Sequence, residues 1–375
     1  MSNIIILPWL NIREPIEVGP FRYVPVDLQY DAMEYEDREI LTQAVEPFRI
    51  VRERSLRSFV LVELQGETYL RSYSEDEIER FKFFNNLLTI SCLSNRMFFQ
   101  PMGGYINSDT LEYYIRRYSP ERNFQTVYGR KRDGHIMSIN TERSEIIKKP
   151  VHVSRILPYV PDITLLNSLI AAKDELRDRY WYKIYNSILN FISGNTDNIK
   201  ISPTQEIISL RSSFELLLSE RNLQSDFSDV IVEFTELRLL EEFPEILERP
   251  GRLEITPEVP ICEAWIREFI ALRDHLAHGN SLSLIETRWS LHEHLLLASF
   301  INPVILKWFL QEHGQYTLNN RDIARFKAFE QLAGVQHFVD YLERENEEGF
   351  EYPWNTIFSR YLHRAFIEEH IRNNE

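Results

Sequence analysis

An α+β architecture is predicted for these 375 residues: a mixed α/β region over 1–155, then an all-helical bundle over 160–375. Three observations point to it. Short runs rich in β-branched and aromatic residues, broken by Pro and Gly, fill roughly the first 70 positions. From about residue 160 onward, apolar residues recur at helical spacing. Glycine is scarce in that half and no fixed-length repeat is visible, which favours a bundle over a solenoid.

The elements follow in chain order. Ile4 to Leu7, Phe21 to Leu28 and Ser58 to Leu64 read as strands, punctuated by Pro8, Gly19-Pro20, Pro25 and Gly66, and the first 70 or so residues read as mostly strand. A helix is expected from Glu75 to Ser91, because Ser74 can cap it and Glu77, three residues on, completes a capping box. Tyr128 to Ile139 reads as strand, turn, strand around Asp133-Gly134. Ile163 to Ile192 is one long helix or two. Ser202-Pro203 opens the next, which runs to Glu220: serine accepts from the free first-turn amides, and proline suits the first helical position. Further helices are expected near 226–240, 259–279, 286–312, 321–346 and 354–372.

Composition limits the function. With 43% hydrophobic and 13% aromatic residues the chain can bury a core and is not disordered. Cys92 and Cys262 are too few for a disulfide framework, which fits a reducing cytosol. The start, MSNIIILPWL, has no basic stretch and an early proline, so it does not read as a signal peptide. The longest apolar run, Leu295 to Leu310, contains Asn302, Pro303 and Lys307 and falls short of the roughly 20 residues a bilayer needs, so no membrane span is expected.

The net charge of −15 argues against a protein that coats nucleic acid. Yet 33 of the 42 basic residues are Arg, whose planar fork grips phosphate through two parallel hydrogen bonds. High Arg usage by the genome explains the same count. One segment is locally basic: nine cations against four carboxylates lie between Arg116 and Lys149. It is either a solvated hairpin or a phosphate-contacting one, with Arg130, Lys131 and Arg132 as its candidate RNA-binding residues.

The segment Arg273-Asp274-His275-Leu276-Ala277-His278-Gly279 closes a predicted helix. Arg-x4-His alone carries little weight, since chance yields about one such pair in a chain of this composition. A second, Arg130 to His135, is indeed present. Context separates them. At about 100° per residue, Ile261, Trp265, Phe269, Leu272 and Leu276 fall within about 80° and form a core face. Ile266, Ile270 and Ala277 form a second apolar stripe, and Arg273 lies between the two, where a guanidinium needs a partner or a cleft.

His278 lies about 140° from Arg273 on an ideal helix. The pair therefore meets only if the last turn loosens at Gly279, or if a symmetric dimer brings two copies together. Asp274 is four residues before His278 and shares its face. That carboxylate and the helix C-terminus both favour imidazolium, so a raised His278 pKa and a proton-transfer role are expected. A histidine that merely caps the helix end fits the same spacing.

These seven residues resemble the signature of the HEPN superfamily: Arg, a polar residue, a short gap, His, often Gly. The helix Glu206 to Glu220 also resembles an early helix of that family, especially of its anti-phage members, so the similarity covers about 200–312. The resemblance implies metal-independent RNA cleavage, in which a ribose 2′-hydroxyl attacks the adjacent phosphate and leaves a cyclic phosphate and a 5′-hydroxyl. His278 would be the general base or acid, Arg273 would hold the phosphate, and Asp274, at the polar position, would orient the pair. It further implies a homodimer with the cleft between protomers, RNA as partner, and no cofactor. Defence and toxin members of the family suggest bacterial defence, and an antitoxin or other regulatory partner.

Other constellations are weaker. His275 and His278 are three apart and His292 and His294 two apart, but no convincing third ligand accompanies either, so no metal is expected. Gly103-Gly104 lacks the context of a phosphate loop. Cys92 and Cys262 sit in apolar patterns and read as core, and Trp181, Trp265, Trp289, Trp308 and Trp354 read as packing residues. The competing function is a non-catalytic helical dimerisation or interaction protein, which the acidic surface suits.

Overall fold

A computed structural model describes residues 2–32, 34–50, 54–95, 107–118, 124–130, 136–140, 146–150, 158–198, 200–218, 221–278, 286–335, 356, 357, 359–365 and 367. The chain divides into two compact units, Met1–Leu166 and Asn167–Glu375. The first holds the strands and the second is built mainly of helices among its described residues, so the α+β class stands.

The first unit contains β1 (Ser2–Leu7), β2 (Ile16–Val18), β3 (Phe21–Asp27), α1 (Tyr35–Val45), β4 (Phe48–Arg49), β5 (Ser58–Leu64), α2 (Glu75–Ser94), β6 (Tyr114–Tyr118), β7 (Phe124–Arg130), β8 (Ile136–Asn140) and β9 (Ile147–Lys148). Seven strands pair antiparallel in the order β2-β3-β5-β1-β6-β7-β8. The two-residue strands β4 and β9 pair parallel.

Strand β1 reads as a continuous apolar run because both its faces are covered. Ile4 and Ile6 join the cluster formed by Leu41, Ala44 and Val45 of α1. The register places Ile5, Val62 and Tyr23 in one row on the opposite face. There the Tyr23 ring lies against Phe81 of α2, with centroids 6.4 Å apart. Gly19 turns the β2–β3 hairpin at φ 58°, a conformation glycine adopts freely.

Two sequence expectations need correction. The stretch before residue 70 is not only strand, since α1 occupies Tyr35–Val45. Its many polar residues hide a short apolar face that closes on the sheet. Arg116, counted with the basic segment, is instead 1% exposed, and its Nε donates to the Ala44 carbonyl at 3.1 Å.

The second unit begins within α3 (Ile163–Glu175) and continues with α4 (Asp178–Gly194), α5 (Pro203–Leu217), α6 (Leu223–Phe234), α7 (Pro244–Leu247), α8 (Ile261–Ala277), α9 (Leu291–Glu312) and α10 (Asn320–Ala333). Ser74 forms the expected capping box; Ser202, followed by Pro203, is the expected cap and also forms a capping box with Gln205. The predicted 163–192 helix is two, and 286–312 starts only at Leu291, where Ser290 and Glu293 form another capping box. Of the helix expected over 354–372, all described residues are helical: 356, 357, 364, 365 and 367 are α-helical and Ser359–His363 forms a π-helical turn. Glu75–Ser94 outlasts its predicted end by three residues, and 226–240 becomes Leu223–Phe234; of 321–346 the described part forms Asn320–Ala333, and 336–346 lie outside the described residues.

Helix α9 is buried nearly all round, and it is long and apolar enough to cross a bilayer by length and composition. Two of its buried polar residues have partners inside the unit. Asn302 donates to Ser213 Oγ at 2.8 Å, and Lys307 Nζ meets Asp322 Oδ1 at 2.6 Å. An aromatic cluster locks its neighbours together: Phe214 of α5, Phe227 of α6, Trp265 and Phe269 of α8, and Phe329 of α10, with centroids 5.2–6.1 Å apart. Aromatic packing of this kind holds α8 and its polar end in place.

Candidate functional site

The apolar stripe of α8 is where the periodicity placed it. Ile261, Trp265, Phe269, Leu272 and Leu276 are all buried. Of the second stripe, Ile266 is buried, Ile270 is half-buried and Ala277 is exposed. Arg273 therefore stands at a boundary, with its side chain 28% exposed.

Arg273 Nη1 donates to Asp274 Oδ1 at 3.1 Å. The same carboxylate oxygen accepts from Arg211 Nη1 of α5. Arg211 Nε in turn pairs with Glu215 Oε1 at 2.8 Å, one helical turn on. The result is a chain of alternating charge, Glu215, Arg211, Asp274, Arg273, spanning two helices. Arg273 Nε is buried and has no hydrogen-bond partner among the described residues. Arg211 and Glu215 lie within the helix that carries the family resemblance, but nothing in their spacing singled them out. The only signal was their i,i+4 relation.

His278 caps α8 and is exposed. Its backbone amide still donates to the Asp274 carbonyl at 3.2 Å, so the helical hydrogen-bond pattern persists up to this residue. Gly279, the proposed hinge, lies outside the described residues. Asp274 turns to the two guanidiniums, and among the described residues no ion pair joins it to His278. Nor does any described contact join Arg273 to His278 within one chain.

The other candidates fare differently. Arg130 ends β7, while Lys131, Arg132 and His135 lie outside the described residues, as do Gly103-Gly104 and Trp354. Among the described residues no three His, Cys, Asp or Glu side chains converge as metal ligands. His294 is fully buried against the rings of Trp265, Phe269 and Trp289, whereas His292 is exposed, so the two do not form a pair. Both cysteines are buried, and burial pushes each thiol up to about 12, which removes them as nucleophiles near neutral pH.

Glu268 of α8, which the sequence reading did not single out, is buried. Its carboxylate accepts from the Trp289 amide at 3.1 Å and faces Arg288 at 3.4 Å, which ties the segment before α9 to α8. Beside Glu215 lies an open cavity of about 780 Å³, also lined by Arg221, Asp226, Asp229 and Glu233. Its carboxylates outnumber its cations, so its field disfavours a phosphodiester. No protein-family model, curated protein or solved structure matches the chain.

Proposed function

We propose that the helical unit is a metal-independent endoribonuclease of HEPN type, acting as a homodimer on RNA in bacterial defence or as a toxin under a regulatory partner. The observation that carries the reading is the end of α8, where an exposed imidazole and a partly exposed guanidinium with an unspent buried Nε lie five residues apart. His278 would take the proton from the 2′-hydroxyl or return one to the leaving 5′-oxygen. Arg273 would bind the scissile phosphate and balance its growing charge. Asp274 acts as a positioning residue through Arg273, held from behind by Arg211.

Since Arg273 and His278 leave α8 in different directions, the reading calls for two copies of the helix around one cleft. That same divergence favours a second reading, a non-catalytic helical scaffold in which the ion cluster only joins α5 to α8.

Arg273→Ala and His278→Ala, assayed separately for RNA cleavage in EDTA and for toxicity to the expressing cell, decide between them. Loss of both activities in each variant, with an unchanged melting curve, is the expected outcome. Unchanged cleavage in either variant sinks the ribonuclease, and cleavage abolished by EDTA alone replaces it with a metal-dependent enzyme.

A further inference from the structure

A second cavity, of about 570 Å³, opens between α10 and the turn Ser359–His363. Four cationic side chains line it, Arg238, Lys327, Arg360 and Arg364, in a chain whose net charge is −15. Lys327 is exposed, and the Arg360 guanidinium lies over the Tyr361 ring at 5.5 Å. Neither makes an ion pair among the described residues. Both are therefore available to an anion.

The cavity also reaches Glu330, which is 3% exposed. Its Oε1 is buried and accepts no hydrogen bond among the described residues. Leaving such an atom unpaired costs roughly 1–3 kcal/mol in general, and a donor entering the cavity would relieve that cost. Burial pushes the Glu330 carboxyl up to about 7, against the pull of the Thr235 hydroxyl and Arg238.

We propose that this cavity binds a small phosphate ester that also carries a hydrogen-bond donor, a nucleotide being the class that matches: its phosphate on Lys327 and Arg360, its amino-bearing base edge against Glu330. The volume falls in the range of roughly 300–1,000 Å³ typical of small-ligand sites. Tyr361 offers a ring face beside the cations, as aromatic residues do for bases.

Isothermal titration calorimetry of the full chain with guanosine 5′-monophosphate and with inorganic phosphate tests this. The nucleotide should bind, and phosphate alone should bind at least about tenfold more weakly. Lys327→Ala and Arg360→Ala, both at surface positions, should each weaken the nucleotide about tenfold or more. Glu330→Gln should weaken the nucleotide while leaving phosphate unchanged. Arg273→Ala should leave both unaffected. The proposal is overturned if neither probe binds at millimolar concentration, if phosphate binds as tightly as the nucleotide, or if binding survives both cation variants. Binding lost in Arg273→Ala overturns it too, because the nucleotide would then sit at the end of α8.

Discussion

Arg211 on α5 and Asp274 on α8, 63 residues apart in sequence, share an ion pair that fastens the body of one helix to the last turn of the other. The Arg211 side chain is 11% exposed and that of Asp274 is 48% exposed, so the pair spans the border between core and solvent. Asp274 meets Arg273 through the same oxygen, and the posture of Arg273 therefore depends on a residue of another helix.

Arg211→Ala should separate positioning from folding. A half-exposed ion pair contributes only about 1 kcal/mol or less, so the melting temperature should fall by a few degrees at most. RNA cleavage should fall about tenfold or more, because Asp274 is then free to swing Arg273 away from the phosphate. Arg211→Lys should restore part of it. Steady-state cleavage with an unaltered rate in Arg211→Ala would remove the ion chain from the mechanism.

Ser213 sits between Ser187 and Asn302 in a buried hydrogen-bonded set that joins α4, α5 and α9, with distances of 2.8–2.9 Å. Each of Ser213→Ala and Asn302→Ala leaves a partner unsatisfied and should cost about 1–3 kcal/mol in urea unfolding. The double variant should cost less than the sum, since both changes break one network. Strict additivity would show that the bonds act independently.

Lys307 and Asp322 are 3% and 2% exposed by side chain and 2.6 Å apart. Asp322 also accepts from the Tyr316 hydroxyl and the Asn319 amide. Lys307→Met strands a buried carboxylate and should destabilise by about 3–5 kcal/mol. Adding Asp322→Asn removes the stranded charge and should recover part of that loss. Chemical denaturation of the single and double variants measures both, and a double variant no more stable than Lys307→Met would contradict the charge explanation.

Glu330 makes stability depend on pH with a defined sign. Burial raises its pKa from 4.5 to about 7, with Glu242 and Glu236 adding to the rise and Thr235 and Arg238 opposing it. The folded state holds the proton more tightly, so the associated stability is complete below 4.5 and is lost as pH rises through about 7. Across that window the unfolding free energy of the native chain should fall relative to Glu330→Gln by about 3 kcal/mol. Parallel urea titrations at pH 4 and pH 8 check this, and a pH-independent difference between the two proteins would refute it.

Local pattern was enough to read much of this molecule. Runs rich in β-branched and aromatic residues, bounded by Pro and Gly, located β1, β3 and β5, while serine caps located the starts of α2 and α5. The helical period of α8 named five buried residues correctly and left Arg273 at their border. Such features depend on neighbours a few positions away, so the order of residues suffices to specify them.

Long-range partners decided the rest. Helix α1 exists because its few apolar residues meet a sheet face, and Arg116 is buried because the Ala44 carbonyl is there to accept from it. Asp274 was read with His278, one turn away on the same helix, yet it pairs with Arg211 of another helix. A charged side chain settles wherever the folded chain brings opposite charge nearest, and that distance is set by how helices pack rather than by spacing along one of them.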